Sequence, residues 1–264
     1  VWIMAYTTID DPTIFFNNKL YSGTSGVQTI SGIGFEPSWI WTKSRTNAGN
    51  HQVTDQVRGL TKYIRPNATN AEDTKTNAIT AVNSDGFVLG ADSSDDINAN
   101  GQNYISYNWK ANGQGSSNTD GSINTTYTSA STTSGFSISS YNGNGNVGAT
   151  VGHGLGAVPT MIIVKRLNGA SDWMVYHVKI GNNYRLRLNE DAAEQDNPVW
   201  NDTTPTSSVF YMNDNGDANA SGGTYVAYCF SDVKAFSKMG TYKGNGNATN
   251  PAFIYTGFKP AFVM

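Results

Sequence analysis

Residues 141–165 read Tyr141-Asn-Gly-Asn-Gly-Asn-Val-Gly-Ala-Thr-Val-Gly-His-Gly-Leu-Gly-Ala-Val-Pro159-Thr-Met-Ile-Ile-Val-Lys165. A turn-rich segment leads to a Gly/Pro corner and then to an apolar run closed by a lysine. The pattern occurs earlier, from Tyr21-Ser-Gly-Thr-Ser-Gly to Pro37-Ser-Trp-Ile-Trp-Thr-Lys43. It opens a third time at Tyr242-Lys-Gly-Asn-Gly and reaches Pro260-Ala-Phe-Val-Met264. Tyr to Pro spans 16 residues in the first copy and 18 in the other two, and Pro to Lys spans 6 in both complete copies.

The match extends downstream. Asp85-Gly-Phe-Val-Leu-Gly90 and Asn103-Tyr-Ile-Ser-Tyr-Asn-Trp109 follow the first lysine. Ser208-Val-Phe-Tyr-Met-Asn213 and Thr224-Tyr-Val-Ala-Tyr-Cys-Phe230 follow the second. The proline lies 67 residues before Tyr104 and 66 before Tyr225. A period of about 100–120 residues is too long for a solenoid repeat and fits one small domain per copy. The expected organisation is an N-terminal arm over 1–20, a first unit over 21–111, a linker over 112–134 and a second unit over 135–235. Residues 236–264 either open a third unit or add strands to the second.

The 264 residues suit about two domains by length. Charged residues make up 14%, against a usual ~25%, and Gly, Ser, Thr and Asn replace them. Such a surface suits an extracellular protein. The net charge of −3, with no basic block, excludes an electrostatic nucleic-acid footprint. No apolar run approaches the ~18 residues of a membrane span, so no membrane insertion is expected. The single cysteine, Cys229, reads as a small buried residue. The start is too short in apolar residues for a signal-peptide core, and Met4 reads as a translation start that makes Val1 to Ile3 an extension.

Asp10 or Asp11 followed by Pro12, with Ile14, Phe15 and Leu20 as a stripe, predicts a short helix within residues 10–20. Strands are expected at 28–33, 38–43, 52–57, 62–64, 78–82, 86–89 and 104–109. The second unit repeats them at 136–141, 148–152, 160–165, 172–178, 184–188, 209–212 and 225–230. Short strands split by Gly/Asn turns indicate an all-β fold of antiparallel sandwiches or barrels, and tandem jelly-roll-like β-sandwich domains with one short N-terminal helix are expected. Trp39 and Trp41 would share one face and Ile40 the other. Met161-Ile-Ile-Val164 is apolar on both faces and belongs between packed sheets.

Few residues offer chemistry. His51, His153 and His177 lack metal-ligand spacing. No Gly-x-Ser-x-Gly elbow occurs. Glu190, Asp191, Glu194 and Asp196 read as a solvated acidic loop rather than the carboxylate pair of a glycosidase. The loops 92–96 and 213–217 are rich in oxygen ligands but fail the EF-hand pattern. No cofactor, metal or catalytic residue is therefore expected. Trp200, beside Asn197-Pro198, is the loop aromatic best placed to stack on a glycan. Ala261, Phe262, Val263 and Met264 are a candidate strand-pairing segment.

Taken together, Met4-Ala-Tyr-Thr-Thr-Ile-Asp10, Gly34-Phe-Glu-Pro-Ser-Trp-Ile-Trp-Thr-Lys-Ser-Arg45, Asp55-Gln-Val-Arg-Gly59, Ser84-Asp-Gly-Phe-Val-Leu-Gly90 and Tyr107-Asn-Trp-Lys110 resemble a repeat in structural proteins of marine tailed bacteriophages. Val151-Gly-His-Gly-Leu-Gly-Ala-Val-Pro-Thr-Met-Ile-Ile-Val-Lys-Arg166 is similar to its second copy. The resemblance implies concanavalin-like sandwiches, a virion location, no catalytic residues and a longer protein with further repeats. The expected function is a non-enzymatic tail-fibre or capsid-associated appendage. Its expected partners are other virion proteins, further copies of itself in a homo-oligomer, and host-surface carbohydrate. Two alternatives are a filament subunit linked by strand addition and a carbohydrate-active depolymerase domain.

Overall fold

The computed structural model describes residues 7–94 and 96–264; the reading of Val1 to Ile3 and Met4 lies outside them. Among the described residues the chain is nearly all β. The strands of the first half are β1 (Phe16–Ser22), β2 (Gln28–Ile30), β3 (Trp39–Ser44), β4 (Gln52–Asp55), β5 (Lys62–Tyr63), β6 (Asp73–Thr74), β7 (Ile79–Asn83), β8 (Gly86–Leu89) and β9 (Asn103–Trp109). Those of the second are β10 (Thr125–Ser131), β11 (Phe136–Asn142), β12 (Ala149–Gly152), β13 (Met161–Arg166), β14 (Trp173–His177), β15 (Tyr184–Arg187), β16 (Gln195–Asp196), β17 (Val209–Met212) and β18 (Thr224–Phe230).

The helix expected within residues 10–20 does not form. Pro12–Ile14 makes one 3-10 turn, with the Asp11 carboxylate accepting from the Thr13 N–H at 2.9 Å. Asp11, one of the two expected caps, and Pro12 thus open a 3-10 turn instead of a helix, and the chain then extends into β1, whose seven residues all pair with β9. Cross-strand pairing overrides a helical stripe only a few residues long, because a single helical turn gains little on its own. The stretch 112–134, expected as a linker, holds β10, which pairs antiparallel with β11 across a bulge at Thr125/Tyr127.

One sheet has the order β1-β9-β3-β4, and a larger one has β10-β11-β18-β13-β14-β15-β16. Smaller sheets, β2-β8-β7 and β12-β17, accompany them. Side-chain alternation places three cores around these layers. Ile40 faces Ile30, Phe35, Phe87 and Leu89 of the β2-β8-β7 side. Ile162, Val164 and Cys229 face Val151, Phe210 and Met212 of the β12-β17 side. The opposite faces of the two large sheets meet in a shared core of Trp39, Trp41, Trp109, Phe136, Phe230, Trp173 and Tyr228. Trp39 lies 4.9 Å from Tyr228 and 5.5 Å from Phe136, ring centre to ring centre. Both large sheets are therefore covered on both faces, which explains why Met161 to Val164 of β13 is apolar on both sides. Each large side chain buried there contributes ~1.5–3 kcal/mol.

Residues 242–264 form no strand. Phe262 alone docks, 5.0 Å from Tyr107 and 5.3 Å from Trp109, at the rim of the shared core. Tyr242, Phe253, Tyr255, Val263 and Met264 stay exposed.

Candidate functional site

The most developed polar constellation lies where the two large sheets meet. Asp55 ends β4 and points into the shared core. Its carboxylate accepts from Arg58 Nε at 2.6 Å, from the Arg58 N–H at 2.8 Å and from the Tyr228 hydroxyl at 2.7 Å. Arg58 also reaches the Glu72 carboxylate at 3.0 Å and donates to the Val53 carbonyl at 3.1 Å. Burial opposes the guanidinium charge, but Asp55, Tyr228 and Glu72 together outweigh it, so the Arg58 pKa is raised. Burial pushes the Tyr228 phenol well above its ordinary value. A fully bonded buried ion pair of this kind fixes geometry rather than supplying a reactive group.

Loop 65–72 carries the contact further. Trp173 Nε1 donates to the carbonyls of Arg65 (3.0 Å) and Ala68 (3.1 Å). Lys165 Nζ donates to the carbonyls of Thr69 (3.1 Å) and Ser171 (2.7 Å). The Lys165 side chain is fully buried, and desolvation lowers its pKa to about 8. Lys43, at the same place after its own proline, donates instead to the Asn47 and Gly49 carbonyls.

Above this network is an open cleft of about 390 Å³ between the halves. Arg58 and Glu72 line it from one side, and Tyr127, Ser140, Asn142 and Asn168 from the other. Its lining combines the charged Arg58 and Glu72 with amides, hydroxyls and the rings of Tyr127, Tyr141 and Tyr225. They form no nucleophile–base pair.

The residues singled out from sequence lie elsewhere. Trp200 is 1% exposed and meets Tyr176 edge-on at 5.9 Å within the second-half core. Its place after Pro198 in a 3-10 turn looked like a loop tip, but the turn folds inward and delivers the indole to the interior. A surface glycan contact through Trp200 is ruled out by that burial. His153 is buried, its Nδ1 accepting from the Leu155 N–H and its Nε2 set against the Thr206 carbonyl. This fixes a neutral ring, and burial lowers its pKa. His51 accepts from the Trp41 indole at 2.9 Å. Glu190 pairs with Arg187 at 2.7 Å, while Asp191 and Glu194 are exposed. Asp92 pairs with Lys75 at 3.0 Å. Among the described residues, no three His, Cys, Asp or Glu side chains group as metal ligands, and no helix is long and apolar enough to cross a membrane.

A family model described as a domain of unknown function, DUF7483, matches residues 11–264. The chain belongs to this family. No curated protein and no solved structure matches it. The matched span covers both large sheets and residues 242–264, so the DUF7483 domain includes the shared core, the Asp55–Arg58–Tyr228 network and the cleft.

The network was not read from sequence. Asp55 and Arg58 stand three apart, a spacing compatible with an ion pair, but Tyr228 lies 173 residues away. Only the packing of the two sheets brings it there.

Proposed function

We propose that this DUF7483 chain is two tandem copies of one β-sandwich unit, fused back to back into a rigid, non-enzymatic structural module of a virion appendage. The observation that carries the rigid-module reading is the shared aromatic core of Trp39, Trp109, Phe136, Phe230 and Tyr228. A hydrophobic core between units removes the hinge that a polar interface would leave. The virion placement rests on the resemblance to phage structural repeats.

Several correspondences support two copies of one unit. The order β1-β9-β3-β4 has its counterpart in β11-β18-β13-β14, and the pair β2-β8 in β12-β17. Tyr21 stacks on Tyr104 at 5.2 Å, and Tyr141 on Tyr225 at 5.3 Å. The Tyr21 hydroxyl donates to the Ile97 carbonyl, and that of Tyr141 to the Ala218 carbonyl. Asn98 bridges the Gly26 and Gly90 carbonyls as Asn219 bridges those of Asn146 and Asn213. Gly34 and Gly156 precede the two proline corners with φ of +89° and +68°, and Gly257 precedes the third with +86°. Only glycine adopts this region at no steric cost.

The test is immunogold electron microscopy of purified particles with antibody against the folded chain. Label at tail or head appendages supports the reading. Label confined to cell-derived fibres refutes it.

Exposed Tyr242, Phe253, Tyr255 and Val263 favour a second reading, a self-assembling subunit in which residues 242–264 pair with another chain. Light scattering on the protein with and without residues 236–264 decides it, since unchanged assembly on deletion removes this reading.

A further inference from the structure

The two inter-sheet spaces differ in chemistry, and the difference rests on the two-unit reading. In the first half, β3 places Thr42 opposite Gln52 and Ser106, and Ile40 opposite Thr54 and Asn108. All lie on the face turned towards β2-β8-β7, the face Ile40 shares with Phe87 and Leu89. In the second half, Val164 stands opposite Met174 and Ala227, and Ile162 opposite Tyr176 and Cys229. Position for position, Thr42, Gln52, Thr54, Ser106 and Asn108 therefore stand where the other copy has Val164, Met174, Tyr176, Ala227 and Cys229. At these five positions one unit is polar and its twin is apolar, apart from the Tyr176 hydroxyl.

The polar set is fully enclosed but incompletely bonded. Gln52, Thr54 and Asn108 are each at least 98% buried. Asn108 donates to Ser106 Oγ at 3.0 Å and to the Asn17 carbonyl at 3.1 Å. Its Oδ1, both amide atoms of Gln52 and Thr54 Oγ1 find no protein partner. A buried polar atom left without a partner forfeits its hydration, so these four atoms on one face of the sheet call for one. The side chain at one further position is also smaller. The Ala78 carbonyl accepts from the Gly90 N–H as the Val199 carbonyl accepts from the Asn213 N–H, which aligns Ile79 with Trp200. Thr54 and Ile79 thus replace the Tyr176–Trp200 aromatic pair.

We infer that the first unit holds an internal cluster of ordered water on Gln52, Thr54 and Asn108, and that the equivalent space of the second unit is dry. The five side chains are neutral and offer both donors and acceptors, which water satisfies with ~3 hydrogen bonds per molecule. At five of these six positions the second unit leaves no buried polar side-chain atom unpartnered, and at the sixth only the Trp200 indole N–H is without a partner.

High-resolution diffraction from crystals of the whole chain, wild type and Gln52→Met, tests this. The expected wild-type result is ordered water within hydrogen-bond distance of Gln52, Thr54 and Asn108, and none beside Val164, Met174 and Tyr176. In Gln52→Met the waters on the amide are expected to disappear. Oxygen-17 relaxation dispersion in solution is expected to lose long-lived waters in the same variant. A dry first unit, with Gln52, Thr54 and Asn108 bonding one another, overturns the inference, and so does density for an organic molecule. Halves that fail to superpose, with water present at these three residues, overturn the two-unit reading while leaving the hydration intact.

Discussion

The Tyr228 hydroxyl donates to the Asp55 carboxylate at 2.7 Å across the shared core, joining β18, an inner strand of one large sheet, to the end of β4, the edge strand of the other. Asp55 keeps Arg58 as a second partner, so Tyr228→Phe removes one bond without leaving an unpaired charge. Hydrogen bonds to charged groups contribute ~1.5–3 kcal/mol, and the variant is expected to lose about that much in urea unfolding. An unchanged midpoint would mean that this bond adds nothing net to the joint.

Lys165 gives a pH signature. Its folded pKa of about 8 lies below the ordinary lysine value of 10.5 because burial disfavours the charge. Below pH 8 both folded and unfolded chains hold the proton, and the cost of burying it is fully present. From pH 8 towards 10.5 the unfolded chain holds a proton that the folded one has released, so stability rises with pH. Tyr21, Tyr141 and Tyr228, pushed up by burial, act in the opposite sense above about pH 10, so the comparison belongs below that. The urea midpoint of the wild type is expected to climb between pH 8 and 9.5 relative to that of Lys165→Met. Parallel pH curves for the two proteins would contradict the burial account.

Cys229 is fully buried between Ile162 and the β12-β17 side, and desolvation raises its thiol pKa. The thiolate is the reactive form. Folded protein at pH 8 is expected to leave a colourimetric thiol reagent unreacted over the time in which urea-unfolded protein reacts fully. Rapid labelling of the folded chain would show that this core opens locally.

Trp200→Ala is expected to cost ~3–5 kcal/mol by emptying an aromatic site in the core. Trp200→Phe is expected to cost less, since the indole N–H has no hydrogen-bond partner to lose. Thermal unfolding separates the two. Equal, near-zero shifts for both would place the side chain at the surface.

Phe262 anchors residues 242–264 through Tyr107, Trp109 and Phe16 (5.9 Å). Phe262→Ala is expected to speed proteolysis within residues 242–261 while leaving the two large sheets protected. Equal cleavage rates in wild type and variant would show that this contact does not hold the segment.

The sequence alone determined the local alternation. Trp39 and Trp41 on one face, Ile40 on the other, and Met161 to Val164 of β13 apolar on both sides follow from the two-residue period of a strand, and the structure has them so. The turn residues before each Pro corner and the cap at Asp11 were legible for the same reason, because a chain a few residues long sets its own backbone geometry. Three features were settled by tertiary structure. Residues 16–20 became a strand because β9 was there to pair with it. Trp200 went inward because a 3-10 turn aims its side chain according to what lies beneath. Asp55, Arg58 and Tyr228 met because two sheets packed face to face. Each depends on residues far apart in the chain, and hydrophobic burial, which is non-directional, leaves no record in sequence of which apolar face will meet which.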